Sequence, residues 1–319
     1  MLLLFRLSLI ACLSGAAAQF ACAQGSCKAL EPMKTLVLKK MYSDAKFSIE
    51  DKANEAENAR TRAPVVAFFQ AMEHALDSPN GRPANPESDC AFENFGRWAQ
   101  AGALTFEPQA YEGQGKVGRG LLNPGFQMIG IKFRAAGYVL NDEMLAWLQK
   151  MNRENVAFNT NPTKGTSPGN NQRVWAAAGA ALNCLLERDP VALRFQDEVW
   201  KAEIAAIGGN GFIVAELNRG QQALVYHLYS FSATLVHEAA RKALGYREEE
   251  ADQQRIMVLA NAIGHSLCDP SEMAKLAQAR IRIPDGEWAY EVINGFGTSR
   301  MNEEWSRCAL PPTEFNARG

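Results

Sequence analysis

The sequence predicts an all-α fold assembled from antiparallel helical hairpins, and three observations carry that prediction. Apolar residues recur at three- and four-residue spacing in segment after segment, the repeat of one helix face. Capping residues stand ahead of three of these segments, twice directly before a proline. No sustained two-residue alternation flanked by hairpin turns occurs, so no sheet is expected.

Taken in order, the periodic segments are 63–76, 92–104, 126–139, 143–151, 174–186, 192–207, 221–244, 255–267 and 271–281. Asn141 is placed to cap the helix that carries Trp147. Asp189-Pro190 and Asp269-Pro270 each put a carboxylate at the cap and a proline at the first helical position. Two stretches read as long loops. The first, 77–87, is rich in Pro, Gly and Asn; the second, 156–170, contains Pro162, Gly165, Pro168 and Gly169. Loops of this length in a helical domain serve either as binding loops or as plain connectors. No stretch has the composition of an interdomain linker, so 24–319 is expected to form one domain with a sizeable core.

The first 23 residues read differently. Arg6 is followed by an apolar stretch from Leu7 to Ala18 and by Ala21-Cys22-Ala23, a small-x-small cleavage pattern. A signal peptide over 1–23 is expected, and with it a periplasmic or secreted destination. Leu9-Ile10-Ala11-Cys12 loosely fits a lipoprotein signal, but the apolar stretch ahead of Cys12 is short. No later run of about 18 apolar residues occurs, so no membrane span is expected.

Cleavage after Ala23 leaves Cys27, Cys90, Cys184, Cys268 and Cys308, an odd number in an oxidising compartment. Cys184 lies in the apolar run 176–186 and reads as a buried free thiol. Cys27 and Cys90 each sit at a helix or loop boundary and are bridge candidates; Cys268 with Cys308 is a second candidate pair. With no C-x-x-C and no His/Cys cluster, neither a metal nor another cofactor is expected. The net charge of -2 gives no reason to expect nucleic acid, and a polyanionic ligand would have to be met by local charge.

Chemistry concentrates in two segments. After Gly208-Gly209-Asn210-Gly211 the chain is read as a helix containing Glu216, Arg219, Tyr226, His227 and Tyr229. Arg219 and Tyr226 are about two turns apart and would share a face, with Tyr229 one turn beyond. The second segment, Gly169-Asn170-Asn171-Gln172-Arg173-Val174-Trp175, opens a helix with Asn171 and Trp175 on one side. Spacing alone does not separate such a pattern from a packing contact between helices.

Both segments resemble polysaccharide lyase family 5, the mannuronan-type alginate lyases. Asn170-Asn171-Gln172-Arg173-Val174-Trp175-Ala176-Ala177 resembles the family's Asn-Asn-His-x-x-Trp-Ala-Ala. Glu216-Leu217-x-Arg219, followed by Ala223-Leu224-x-Tyr226-His227-x-Tyr229, resembles its second motif, and the segment from Cys90 to Leu104 resembles a third. The likeness covers most of the mature chain. It implies an α/α toroid, an incomplete barrel of helical hairpins, and a monomeric lyase acting on an anionic polysaccharide of uronic acids. It also implies a Cys27–Cys90 disulfide and a substrate-binding lysine near the mature N-terminus, for which Lys40 is preferred to Lys39.

The chemistry accounts for the residue types. β-Elimination removes the C5 proton beside a carboxylate and expels the C4 oxygen through an enolate-like intermediate. Asn171, Gln172 and Arg219 would neutralise the carboxylate. Tyr226 would move the proton, with Arg219 favouring its phenolate. Trp175 and Tyr229 would offer flat faces to sugar rings, and His227 would line the cleft or orient Tyr226. Gln172 stands where the family carries His and cannot act as a base. Tyr226 would then serve as both base and acid, which suits a syn elimination as in mannuronan. A catalytically weakened uronan-binding protein is the alternative. A glycoside hydrolase ranks last, because it needs two opposed carboxylates and only Glu216 lies within a motif.

Overall fold

The structure, a computed structural model, describes residues 27–77, 85–105, 114–160, 170–247 and 249–284. The chain is helical nearly throughout: α1 Lys52–Asp77, α2 Pro86–Gln100, α3 Gln114–Ala135, α4 Asp142–Thr160, α5 Asn171–Leu186, α6 Pro190–Ala206, α7 Val214–Leu217, α8 Ala223–Ala243, α9 Glu250–Cys268 and α10 Ser271–Ala277. Among the described residues the only β pairings are the isolated bridges Tyr42–Glu50 and Ile207–Ile213. No described helix is long and apolar enough to cross a membrane, and no described group of His, Cys, Asp or Glu could hold a metal ion. The expected signal peptide at 1–23, most of the two long loops (78–84 and 161–169) and Cys308 lie outside the described residues.

Three helices outrun their apolar repeats, each for a physical reason. The first turns of α1 are polar and bury little besides Asn58, so periodicity begins only where Val65, Phe68, Phe69 and Met72 turn inward. In α4 the buried face continues beyond Met151 as Asn152, Asn155 and Asn159, which an apolar count does not register. The start of α3 is glycine-rich because the N-terminal segment crosses it. A Cβ on Gly115 would lie 2.3 Å from the Leu36 carbonyl oxygen.

Buried amides link α3, α4 and α5 in a closed ring. Asn123 donates to Asn152 (3.3 Å), Asn152 to Asn183 (3.3 Å), Asn183 to Gln127 (3.1 Å) and Gln127 back to Asn123 (2.9 Å). Every member thereby meets the requirement that buried polar groups be hydrogen-bonded.

One apolar cluster collects aromatics from α1 to α4, with Phe68 stacked on Trp98 at 4.1 Å; another draws on α6 to α10 around Phe212, Phe231 and Ile263. Helix α5 runs between its neighbours α3, α4, α6 and α8, and its run of alanines lets them approach closely. Caps appear where expected at Asn141, which accepts from Met144, and at Asp189, which accepts from Val191 and Ala192. At Asp269 the chain differs: the residue closes α9, and its carboxylate accepts from Ser271 at the start of α10.

The Cys27–Cys90 disulfide is present and ties the N-terminal segment to α2, where Leu30 also bonds Asn94 and Trp98. Cys184 is a buried free thiol. Cys268 is also disulfide-bonded, and its partner lies outside the described residues.

Candidate active site

The N-terminus of α5 sets the first part of the site. Asn170 caps the helix by accepting from the Gln172 amide at 2.9 Å, which fixes Asn171 and Gln172 in the first turn. Asn171 is buried and turns its donors away from its own helix. Its backbone N–H (2.9 Å) and side-chain amide (3.1 Å) both donate to one oxygen of Glu216. Ser230 of α8 donates to the same oxygen at 3.1 Å.

Glu216 reaches that position because the chain folds back before it. Gly211, with φ of +83°, makes the turn that pairs Ile207 with Ile213, and α7 follows as a single turn. Arg219 and Tyr226 do not share one helix, contrary to the spacing argument. Gly220 adopts φ of +56°, a 3₁₀ turn covers Gly220–Gln222, and α8 begins only at Ala223. The break still brings the two side chains together. The Arg219 guanidinium lies 4.8 Å from the Tyr226 ring centre and 5.1 Å from that of Phe47. Its Nε is 3.6 Å from the second oxygen of Glu216.

Tyr226 is buried in α8, and its hydroxyl donates to that of Tyr42 at 2.8 Å. Burial pushes the Tyr226 hydroxyl well above the usual tyrosine range; its proximity to Tyr42 adds to this, and Arg219 opposes it without prevailing. Tyr42 is likewise raised by burial, with Glu50 adding to the effect and both Tyr226 and Arg219 opposing it. The expectation that Arg219 makes Tyr226 a ready phenolate is therefore corrected: its pull has the predicted sign, but desolvation is larger.

Of the other expected residues, Gln172 and Tyr229 are half-buried, and the Tyr229 ring meets the Tyr226 ring edge-on at 5.9 Å. Lys40 is exposed, two residues from Tyr42, whereas Lys39 is paired with Glu57. Two expectations fail. Trp175 is only 4% exposed and belongs to the aromatic core, so its faces are not offered to a sugar. His227 has no exposed surface; its Nδ1–H donates to the Ala223 carbonyl (2.7 Å) and its Nε2 accepts from the Ile213 amide (2.9 Å). With both nitrogens engaged it cannot bind substrate. It joins α8 to the turn ahead of α7, and burial lowers its pKa to about 4.

Three neighbours escaped the sequence reading. Tyr42 lies 184 positions from the tyrosine it bonds, Glu216 was weighed only as a hydrolase acid, and Phe47 lies on a turn. That turn is closed by the Tyr42–Glu50 bridge and knotted by Asp44, whose carboxylate accepts from the amides of Lys46, Ser48 and Ile49. Gln221 fastens it to the second half of the chain by donating to the Ser48 carbonyl at 2.7 Å.

Comparison with known proteins gives this cluster a context. The alginate lyase family model matches residues 132–273, a stretch containing Asn171, Glu216, Arg219 and Tyr226. It is this stretch, 142 of the 319 residues, that resembles the alginate lyase family. A polysaccharide lyase of Stenotrophomonas maltophilia (strain K279a) is 27% identical over 205 residues, 63% of this chain and 60% of that protein's length. Among solved structures, alginate lyase A1-III in two tetrasaccharide complexes matches with TM-scores of 0.70 and 0.69 at 15% identity. The alignments cover 91% and 95% of this chain and 84% and 88% of those chains. The same enzyme from Sphingomonas species A1 gives a TM-score of 0.65 at 14% identity, with 95% of this chain and 88% of that chain covered. The fold is accordingly the α/α toroid that the sequence resemblance implied.

Proposed function

We propose that this chain is an exported polysaccharide lyase that cleaves a uronic-acid polymer by syn β-elimination, with polymannuronate as its first candidate substrate. The observation that carries the reading is the convergence of Asn171, Arg219 and Tyr226 from three separate stretches of chain, a donor amide, a guanidinium and a phenol. The family match over 132–273 and the oxidised Cys27–Cys90 pair support the activity and the export, respectively.

In this mechanism a uronate carboxylate lies against the remaining N–H of the Asn171 amide and the Arg219 guanidinium. Both stabilise the charge that grows as C5 loses its proton. Tyr226, as phenolate, takes that proton on the face shared with the C4 oxygen, and its hydroxyl then returns it to the leaving glycosidic oxygen. Tyr42 stabilises the starting phenolate, which the second transfer regenerates, by reversing the direction of its hydrogen bond. Gln172, half-buried in the same first turn as Asn171, supplies a neutral amide but no second base. The product carries an unsaturated 4,5 bond at its new non-reducing end.

The test is to incubate the mature protein with polymannuronate, polyguluronate, alginate and glucuronan and to follow ultraviolet absorbance of the unsaturated product. Product that disappears in Tyr226→Phe supports the lyase. Binding without product favours the weakened binding protein, the reading that Gln172 in place of His motivates. New reducing ends without unsaturation would sink both.

A further inference from the structure

We infer that Glu216 is a positioning residue that sets the Asn171 amide and the Arg219 guanidinium in the geometry elimination needs. This rests on the lyase reading and deepens it. The carboxylate has no exposed surface, so it is not arranged to reach a glycosidic oxygen as a hydrolytic acid. Its two oxygens do different work. One accepts three hydrogen bonds, from the Asn171 N–H, the Asn171 side-chain amide and Ser230. Two of those donors belong to one residue, so the Asn171 side chain is held by a two-point clamp rather than left to rotate. One side-chain N–H is consumed, and the direction of the other is thereby fixed.

The second oxygen is buried without a hydrogen-bond partner, and so is the Arg219 Nε that faces it at 3.6 Å. An unpartnered donor and acceptor in one buried site are costly, and a shift of about half an ångström by Arg219 would join them. Bonding through Nε leaves the two terminal nitrogens of the guanidinium for a carboxylate. Glu216 also anchors this pair to a helix N-terminus, since the Asn171 amide is one of the unsatisfied first-turn donors of α5. One carboxylate thus couples the two groups that would neutralise the intermediate, although they sit on different elements.

The groups act on charge that develops in the transition state, so misplacing them lowers kcat more than it raises KM. Glu216→Leu, which fills the space without acceptors, is expected to lower kcat at least a hundredfold. Glu216→Gln, which keeps an acceptor for Asn171 but gives up the charge facing Arg219, is expected to lower it about tenfold and fold even if the leucine variant does not. Both should leave KM within threefold. In an Asn171→Ala background the loss caused by Glu216→Leu should shrink by at least tenfold, because part of what it positions is already gone. Equal losses in both backgrounds, or a fall in thermal stability with kcat retained, would overturn the proposal. If the wild-type protein releases no unsaturated product from any uronan, the lyase reading falls separately. The Asn171 side-chain amide signals in nitrogen-15 NMR then decide. Glu216→Gln or Glu216→Leu must move them and speed their exchange with water at least tenfold; unmoved signals would reject the positioning role.

Discussion

Tyr42→Phe isolates the hydrogen bond on which the tyrosine pair depends. The ring keeps its packing, edge-on to Phe47 at 6.0 Å and tilted to Tyr226 at 6.3 Å, so only an oxygen is removed. Tyr226 is 8% exposed and donates to that oxygen at 2.8 Å, so its hydroxyl loses its acceptor where little water can replace it. A buried donor left unsatisfied costs about 1–3 kcal/mol, and the native state should lose that much in urea unfolding. Turnover should suffer separately. The phenolate that Tyr226 must become would lose a hydrogen bond to a charged group, typically about 1.5–3 kcal/mol, which corresponds to roughly a 10- to 150-fold fall in kcat. The assay pairs urea melts with initial rates of unsaturated-product formation at saturating uronan. Unchanged stability and unchanged kcat would show that the pair does not form and would refute the reasoning. A loss as complete as that of Tyr226→Phe would transfer the proton-moving role to Tyr42.

Other consequences are equally open to measurement. Because burial raises Tyr226 above the usual tyrosine range, its base form is a minority at neutral pH, and log kcat/KM should climb through pH 9 without a plateau; a bell centred near neutrality would contradict this. His227 has a folded pKa of about 4 against 6.5 for an unperturbed histidine, so the unfolded chain binds the proton more readily. Its contribution is present above about pH 6.5 and is lost as pH falls toward 4, to a total of about 3 kcal/mol. Wild-type stability should therefore fall by that much more than that of His227→Gln between pH 7 and 4, as read by urea melts; parallel falls would exclude His227 as the source. The Cys27–Cys90 bridge spans 63 positions, and its removal as a double serine variant should cost about 4 kcal/mol in the same melts; a loss below about 1 kcal/mol would mean that the hydrogen bonds from Leu30 to α2 already hold the segment. Gln172→His should change the rate or widen the range of uronans cleaved, and no change in either would remove Gln172 from substrate selection.

The fold was legible because helix periodicity survives wherever the buried face is apolar, as in α5, α6 and α8. It failed where burial is polar. The ring through Asn123, Gln127, Asn152 and Asn183 satisfies its members mutually, and no local pattern announces that an asparagine such as Asn152 has two partners on two other helices. Trp175 shows the complementary failure. A large aromatic beside a motif residue reads as a sugar platform, but its position on the central helix turns it into the core.

The misread helix break shows how the site arises from the fold. On a continuous helix Arg219 and Tyr226 would project in parallel along one face about two turns apart, and Glu216 would lie a turn before Arg219 on that same face. Gly220 in the left-handed region ends that geometry, and the intervening 3₁₀ turn redirects α7 relative to α8. Arg219 is thereby laid across the Tyr226 ring, while Glu216 points to the first turn of α5. A side chain at position 220 would be strained in this backbone conformation. The resemblance marked which residues to examine, but their spacing could not supply the relation among them. The residues that create it are a glycine with no chemistry and a buried glutamate that need not touch substrate.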